Sequence, residues 1–599
     1  MENEFDEKHR TILQKFPDGT SMSYEYDDEK NTVTLTERNG SKTIHIHDDQ
    51  YRNVKNIYPD GEESFTYNAR NQKTKIKDKL GNETRLSYDN RGNLTGITNP
   101  LGTKLSITYE SHNKPTNVKI NGKEKQKNTF DSKGNLLETR DALLRKTVFT
   151  YNETGLPKTI IQPDGSTLKL TYDEKGNIRE MTDAAGGKTV YVYDALNRVK
   201  KVTDPNGNAM SLTYDGAGNI HTLTNAAGDV RTYEYNESNK VTKITDFDGS
   251  TIQRTYNVLN KPEVITDQQG RKTKLSYDAM WNLARIITPD GAKTTYLYNE
   301  NNRLTRIKDA AGNVTRYTYD GNGNCIKKED PAGETTRFIY DAIGRLTHAE
   351  GPEGSAMTYT YDEEGHVTEA EDALGNTVTM EYDEAGQLIK ETNPLGYSRT
   401  YSYTPLGKIE SVTDEAGRTT TYAYLPGGRL SEVTHSDGTR ETYTYDPNGN
   451  IKTHTTKEGY TLTYTYDGLD RIIKIEGSGG EKKQYTYDAV GNVTTMTDAE
   501  GNTTRYEYSL TGQLIKVTDA MGNETEYTYD LCDRLIQIRQ YGEETENTPG
   551  MDEDLLKAQS RNQKNRPCHV TSYERNILGQ VETITDALGE TEHYTYDAN

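Results

Sequence analysis

Residues 193–214 read Tyr193-Asp194-Ala195-Leu196-Asn197-Arg198-Val199-Lys200-Lys201-Val202-Thr203-Asp204-Pro205-Asn206-Gly207-Asn208-Ala209-Met210-Ser211-Leu212-Thr213-Tyr214, and their reading decides the fold. Two turns punctuate the stretch. An Asx residue follows the tyrosine, as in Tyr172-Asp173-Glu174-Lys175-Gly176, and a residue tolerant of left-handed backbone stands three further on. That is the signature of a type I turn with a glycine bulge. Asp204-Pro205-Asn206-Gly207 repeats the signature about ten residues later. Between the turns lie two short strands, one of the Val199 to Thr203 kind and one of the Thr315 to Tyr319 kind. In the second kind the aromatic residues are two apart and share a face. In the first, Val199 and Val202 are three apart, which strict alternation forbids, so either a bulge or a strand apolar on both faces is expected.

From this stretch the frame extends in both directions. Taking the tyrosine as anchor, positions 67 to 529 carry 22 Tyr and one Phe (Phe130) at an unbroken 21-residue period. Gly, Asn or Asp stands four after the anchor in 22 of these 23 units, so the turn chemistry travels with the period. Phe5, Tyr26 and His47 continue the frame backwards with one residue missing, and Arg575 and Tyr596 continue it forwards. A fixed period of this kind marks a repeat architecture. The organisation expected is repeats over 1–540, a partly helical insertion over 541–568, and repeats again over 569–599. In the insertion, Asp552-Glu553-Asp554-Leu555-Leu556-Lys557-Ala558-Gln559 has acidic residues where a helix would start and should project from the ribbon edge as a loop or docking element. No capping unit closes either end of the frame, so a fragment, or a shell segment completed by other polypeptide, is expected.

Composition supports order with little core. Leu, Ile, Val and Phe make up roughly 17% of the 599 residues and net charge is −21, values typical of disordered chains. Yet 44 Tyr against 7 Phe and 1 Trp moves the apolar surface into rings that can pack their bodies and turn their hydroxyls to water. Three scattered cysteines without a CxxC support neither a disulfide scaffold nor a zinc module. The acidic balance argues against nucleic acid, and no apolar run reaches the roughly 18 residues of a membrane span. Met1-Glu2-Asn3-Glu4-Phe5-Asp6 has neither the basic nor the apolar region of a secretory leader. The fold class is therefore all-β, a repetitive antiparallel hairpin ribbon of about 27 units. Twisted sheets do not stay open and flat beyond about ten strands, so the ribbon is expected to coil into a spiral or hollow shell.

The unit, closely exemplified by Tyr340-Asp341-Ala342-Ile343-Gly344-Arg345-Leu346, resembles the YD repeat of the Rhs family, over nearly the whole chain. The resemblance extends to bacterial Rhs polymorphic toxins, the C component of Tc toxins and the YD shell of teneurins. It implies a β-ribbon that spirals into a cocoon, which in the bacterial members encloses a toxic C-terminal polypeptide. Those toxins carry a DPxGL-like self-cleavage motif. Here Asp204-Pro205, Asp330-Pro331 and Asp446-Pro447 lie in ordinary turns and none is followed by it, so no protease residues are carried over.

Other candidates have plain readings. Aspartates of the turns could bind calcium, but one carboxylate per turn is better suited to closing the backbone. His45 and His47 could hold a metal, yet they occupy aromatic strand positions and read as packing. Sequons at Asn93 and Asn523 follow from the consensus itself. Cys325 fills an apolar offset as a small hydrophobe. Trp281, alone in breaking the Gly/Asn/Asp turn position, reads as a locally different turn, with a contact surface as the alternative. No nucleophile elbow, HExxH, phosphate loop or dinucleotide fingerprint occurs. No catalytic, cofactor-binding or metal residue is assigned and no enzyme is expected. The expected role is a structural shell segment of a secreted toxin, partnered by a C-terminal toxin cargo or other shell segments. The alternative is a cell-surface module that binds carbohydrate or protein through tyrosine-lined faces.

Overall fold

The structure, a computed structural model, describes residues 1–541 and 568–597. Among these, 55 strands form one sheet, and a single 3-10 turn at Pro352–Gly354 is the only helical element. Each strand pairs antiparallel with its neighbours in sequence, as Lys188–Tyr193 does with Val199–Thr203, and that strand with Ala209–Tyr214. The result is a meander without crossovers, the hairpin ribbon that the two turns per unit require.

The Asx residue and the glycine build the turn together. Asp173 Oδ1 accepts the backbone N–H groups of Lys175 and Asn177, both at 2.9 Å, and Oδ2 accepts the Asn177 amide at 3.0 Å. Gly176 then sits at φ +87°, where its N–H reaches the Asp173 carbonyl at 3.1 Å. A side chain with a β-carbon meets steric resistance in that region. The Asn177 amide, with backbone N–H groups behind it, holds Asp173 below the usual carboxylate range.

The irregular apolar spacing resolves as a bulge. Val192 pairs with Lys201 but Tyr193 pairs with Val199, so Lys200 is the extra residue and Val199 and Val202 reach the same neighbourhood. The same shift occurs at every anchor from Tyr67 to Tyr529, for example at Tyr214, Tyr340 and Tyr529. Beyond the bulge the strands splay: regular pairing of Val199–Thr203 with the following strand stops at Lys201 opposite Ser211. The carbonyl of Val199 would be stranded, and the hydroxyl of Tyr214 donates to it at 2.7 Å. Tyr340 does the same to Cys325 at 3.0 Å, and Tyr529 to Leu514 at 2.8 Å. The anchor hydroxyls do not face water: they are committed to a backbone acceptor fifteen residues back, because a splayed strand leaves that acceptor without a ladder partner.

Two departures from tyrosine test this account within the chain. At Phe130 there is no hydroxyl, and the buried amide of Asn128 donates instead to the equivalent carbonyl, that of Pro115, at 2.9 Å. At Arg575 the guanidinium donates to the Leu535 carbonyl through Nε at 3.1 Å and Nη2 at 2.9 Å. Tyr541 pairs with Cys568, so the ribbon closes across the point where the insertion departs. The helix expected within that insertion lies outside the described residues.

The opposite face of the ribbon carries threonine. Thr213 and Thr222 hydroxyls lie 2.6 Å apart across strands, as do Thr444 and Thr453. Among the described residues Val433 is the single apolar side chain classed as buried. The wall is one sheet thick, as the scarcity of aliphatics requires.

Candidate functional site

The ribbon coils, and its successive windings meet edge to edge. Each unit presents two turns on opposite rims: the anchor turn, after the tyrosine, and the second turn, about ten residues on. Second turns of one winding face anchor turns of the next. Asn206 N–H donates to Asn448 Oδ1 at 2.9 Å, and the Asn448 amide returns to Asp204 Oδ2 at 2.8 Å. Arg429 reaches Asp183 at 2.9 Å, Arg534 reaches Asp290 at 2.8 Å, and Arg303 reaches Asp60 at 2.8 Å. Arg271 grips Asp533 with two N–H groups at 2.8 and 2.7 Å. Partners across the seam stand 239 to 263 residues apart, on units twelve or thirteen apart. These ion pairs are only partly exposed, so salt screens them less than it screens pairs in open solvent. Arg271 in turn holds the Asp533 carboxyl below its ordinary range. Burial acts to raise Asp290, yet hydrogen bonds from Thr288, Ala292 and Arg534 prevail and hold it at about 2.

Trp281 sits on this seam. Its N–H closes the standard turn to the Asp278 carbonyl at 3.0 Å with φ +67°, so the locally different turn is not what the structure shows. The αL geometry is kept and the tryptophan is tolerated in it, because its ring finds partners on the preceding winding. Nε1 donates to Asp18 Oδ2 at 3.1 Å. The ring packs edge-on to Phe16 at 5.5 Å, and the Arg38 guanidinium lies 3.6 Å above it. The contact-surface alternative is the correct one.

Two polar clusters interrupt the tyrosine face. Glu441 accepts His454 Nε2 and His435 Nε2, each at 2.9 Å, and the Tyr443 hydroxyl at 3.0 Å. These contacts, His454 foremost, hold Glu441 at about 2, and burial together with Glu441 pushes Tyr443 up to about 12. The Tyr443 and His454 rings stack at 4.6 Å. The second cluster contains His45, whose Nδ1 lies 2.6 Å from Asn56 Oδ1. Asn56 donates to Glu63 at 2.8 Å, as does Tyr58 at 2.7 Å. His45 and His47 do occupy the aromatic positions of their strand, but His45 is engaged by hydrogen bonds as well as by packing. Sequence reasoning passed over His435, Glu441 and His454. Their signal was available: three departures from the repeat consensus within twenty residues.

The remaining candidates fall into place locally. Turn aspartates spend Oδ1 on backbone N–H groups, and Asn93 and Asn523 donate their amides to Asp89 and Asp519 at 2.9 and 2.8 Å. Cys325 is half-buried, and burial raises its thiol pKa. No group of three or more metal-ligating side chains occurs among the described residues, and no helix among them is long and apolar enough to cross a membrane.

The chain matches the teneurin YD-shell family over residues 15–140, 103–188, 291–420 and 407–546, and the RHS repeat over 172–209 and 214–251. No curated protein sequence matches it. Among solved structures it resembles TcdB2-TccC3, at 14% identity and TM-score 0.59, covering 96% of this chain and 46% of that one. TcdB2-TccC3 without its hypervariable C-terminal region gives 13%, 0.61, 96% and 47%. The Photorhabdus luminescens Tc holotoxin pore gives 13%, 0.53, 98% and 42%. The chain thus spans about half the length of these solved relatives, and at such identities the likeness is one of fold. With its bulged hairpins and coiled ribbon, and with family matches over most of its length, the chain belongs to the teneurin YD-shell family of Rhs/YD-repeat proteins.

Proposed function

We propose that this chain is a non-catalytic wall segment of a secreted toxin shell, enclosing a C-terminal polypeptide for delivery. The observation that carries the reading is the seam. A ribbon whose windings are joined rim to rim, from Trp281–Asp18 to Arg534–Asp290, makes a continuous barrier rather than an open sheet. Tyr193 and Tyr445, on units that meet across the seam, are twelve units apart. Twelve units are about 24 strands, and at about 4.8 Å each the wall is roughly 115 Å around, about 37 Å across. Side chains reduce the lumen to about 27 Å, allowing about 10 Å for sheet thickness. A folded 100-residue domain, with a radius of gyration of about 13 Å and hence a diameter of about 34 Å as a solid sphere, is wider than that. Cargo in this part of the shell is therefore unfolded. A wall of threonine hydroxyls and half-covered tyrosines suits such a guest, since it offers little apolar surface to grip it.

No feature of the fold or of the family match favours the carbohydrate-binding alternative over the shell reading. Protease protection tests the reading. The polypeptide encoded after this chain should resist proteolysis when expressed with the chain and be cleaved without it. Equal cleavage in both cases would overturn encapsulation.

A further inference from the structure

On the threonine face the repeat sets hydroxyl opposite hydroxyl, as at Thr213–Thr222 and Thr444–Thr453. The strands from Leu304–Lys308 to Thr335–Tyr340 break that rule. Arg306 stands directly opposite Arg316, and on the next two strands Lys327 stands directly opposite Arg337. Like charges so placed repel each other and destabilise a sheet. Acids relieve them only in part. Glu329 is shared by Arg316 at 2.9 Å and Lys327 at 3.2 Å, and Glu350 reaches Arg337 at 3.8 Å. Among the described residues no acid pairs with Arg306. On the preceding winding Lys75 stands opposite Arg85 in the same way. That hairpin lies end to end with the one carrying Arg316, since Asn322 meets Asp78 at 2.8 Å. Aliphatic side chains flank the cations on the same face. Leu297 lies opposite Arg306 and Ile339 two residues beyond Arg337, and they are 47 and 57% exposed.

This patch is a face of the wall and not an end of it. Its neighbourhood is tied to the preceding winding through Arg303–Asp60 and to the following one through Asp290–Arg534, each at 2.8 Å. Coiling crowds side chains on the concave side of a sheet and spreads them on the convex side. In Val314–Tyr319, Arg316 and Thr318 are exposed while Tyr317 and Tyr319 are half-buried, so the cations lie on the convex side. The chain as a whole is acidic, with net charge −21, but charges in physiological salt act over about 8 Å, so distant acids leave the patch to act locally. A nucleic-acid strand would need rings on which to stack its bases, and Tyr317 and Tyr319 belong to the opposite face. Aliphatic side chains beside clustered Lys and Arg match instead the surface of an anionic bilayer, whose headgroups meet cations while its interface takes up apolar groups. We infer that the threonine face around Arg306, Arg316, Lys327 and Arg337 is a docking surface for an anionic lipid membrane, bound peripherally. Headgroup anions lying over the paired cations relieve the repulsion that the bare sheet carries. The inference does not depend on what the shell encloses.

Co-sedimentation of the whole chain with lipid vesicles tests it. The chain should pellet with vesicles of mixed phosphatidylserine and phosphatidylcholine, stay in solution with phosphatidylcholine alone, and be released by added salt. Combining Arg306→Thr, Arg316→Thr, Lys327→Thr and Arg337→Thr installs the residue that the repeat uses elsewhere on this face. That variant should bind about a hundredfold more weakly. Its thermal unfolding should come no earlier than that of wild type, because the like-charge pairs are gone, so lost binding would not be lost structure. Leu297→Thr with Ile339→Thr should weaken binding about tenfold. A chain that ignores phosphatidylserine vesicles, or binds phosphatidylcholine vesicles equally well, would overturn the proposal. So would a fourfold variant that binds like wild type, or a Leu297/Ile339 variant of unchanged affinity, which would point to a free polyanion instead of a membrane.

Discussion

At the scale of the residue, the anchor tyrosine acts as a backbone cap as well as a packing group. Its hydroxyl serves a carbonyl that the bulge has cut off from the ladder. Tyr340→Phe should therefore destabilise by about 1 kcal/mol, the net worth of one intramolecular hydrogen bond, measured by denaturant unfolding of the repeat array. In the Phe130 unit the same loss should follow from Asn128→Ala, and Phe130→Tyr in that background should restore it. A Tyr340→Phe variant as stable as wild type would show the hydroxyl to be incidental. The excess of Tyr over Phe was plain in the sequence, but its reason was not, since the stranded carbonyl exists only once register and splay are known. Charge chemistry gives a second test at this scale. Glu441 is depressed to about 2 in the folded chain, against about 4.3 for a free glutamate. A depressed carboxylate stabilises the fold above its unfolded pKa, and that contribution is lost as pH falls through the folded one. Glu441→Gln should be less stable than wild type at neutral pH, and the gap should narrow between about pH 4.3 and about pH 2. A gap that holds constant through that window would remove the cluster from the account.

The element at issue is the hairpin with its two turns and its bulge. Turn positions were fully legible, because Asx and glycine chemistry is local and needs no knowledge of partners. Val199 and Val202 told only that alternation failed, and the choice between a bulge and a doubly apolar strand needed the cross-strand pairing of Tyr193. Trp281 misled for a related reason: the turn rule was read as forbidding it, whereas contacts on another winding make the αL backbone tolerable there. Gly375 isolates the backbone cost of that conformation. It sits at φ +81°, and a β-carbon placed on it would meet nothing within 4 Å. Gly375→Val should cost about 1–2 kcal/mol through φ alone. Since each unit contacts mainly its neighbours, hydrogen exchange should quicken in adjoining units and hardly change far along the ribbon. Uniform loss of protection along the chain would contradict the nearest-neighbour picture.

For the whole molecule, coiling followed from strand number and twist, but the pitch did not. Windings meet through residues 239 to 263 positions apart, and most of those residues, such as Asp204 and Asn448, belong to the ordinary turn consensus. Nothing in a repeat with identical turns says which turn faces which. That pairing is the central claim, because without it the ribbon is an open sheet and no shell exists. The direct measurement is site-specific cross-linking. Cysteines placed at Asn206 and Asn448, in a background with Cys325, Cys532 and Cys568 replaced by serine, should be joined within one chain by a short bifunctional thiol reagent. A control pair at Asn206 and Asn322, which places the second cysteine on a turn of the same kind facing Asp78 instead, should not be joined. Joining of the first pair alone is the predicted result; failure of the first pair, or equal joining of both, would contradict the coiled wall.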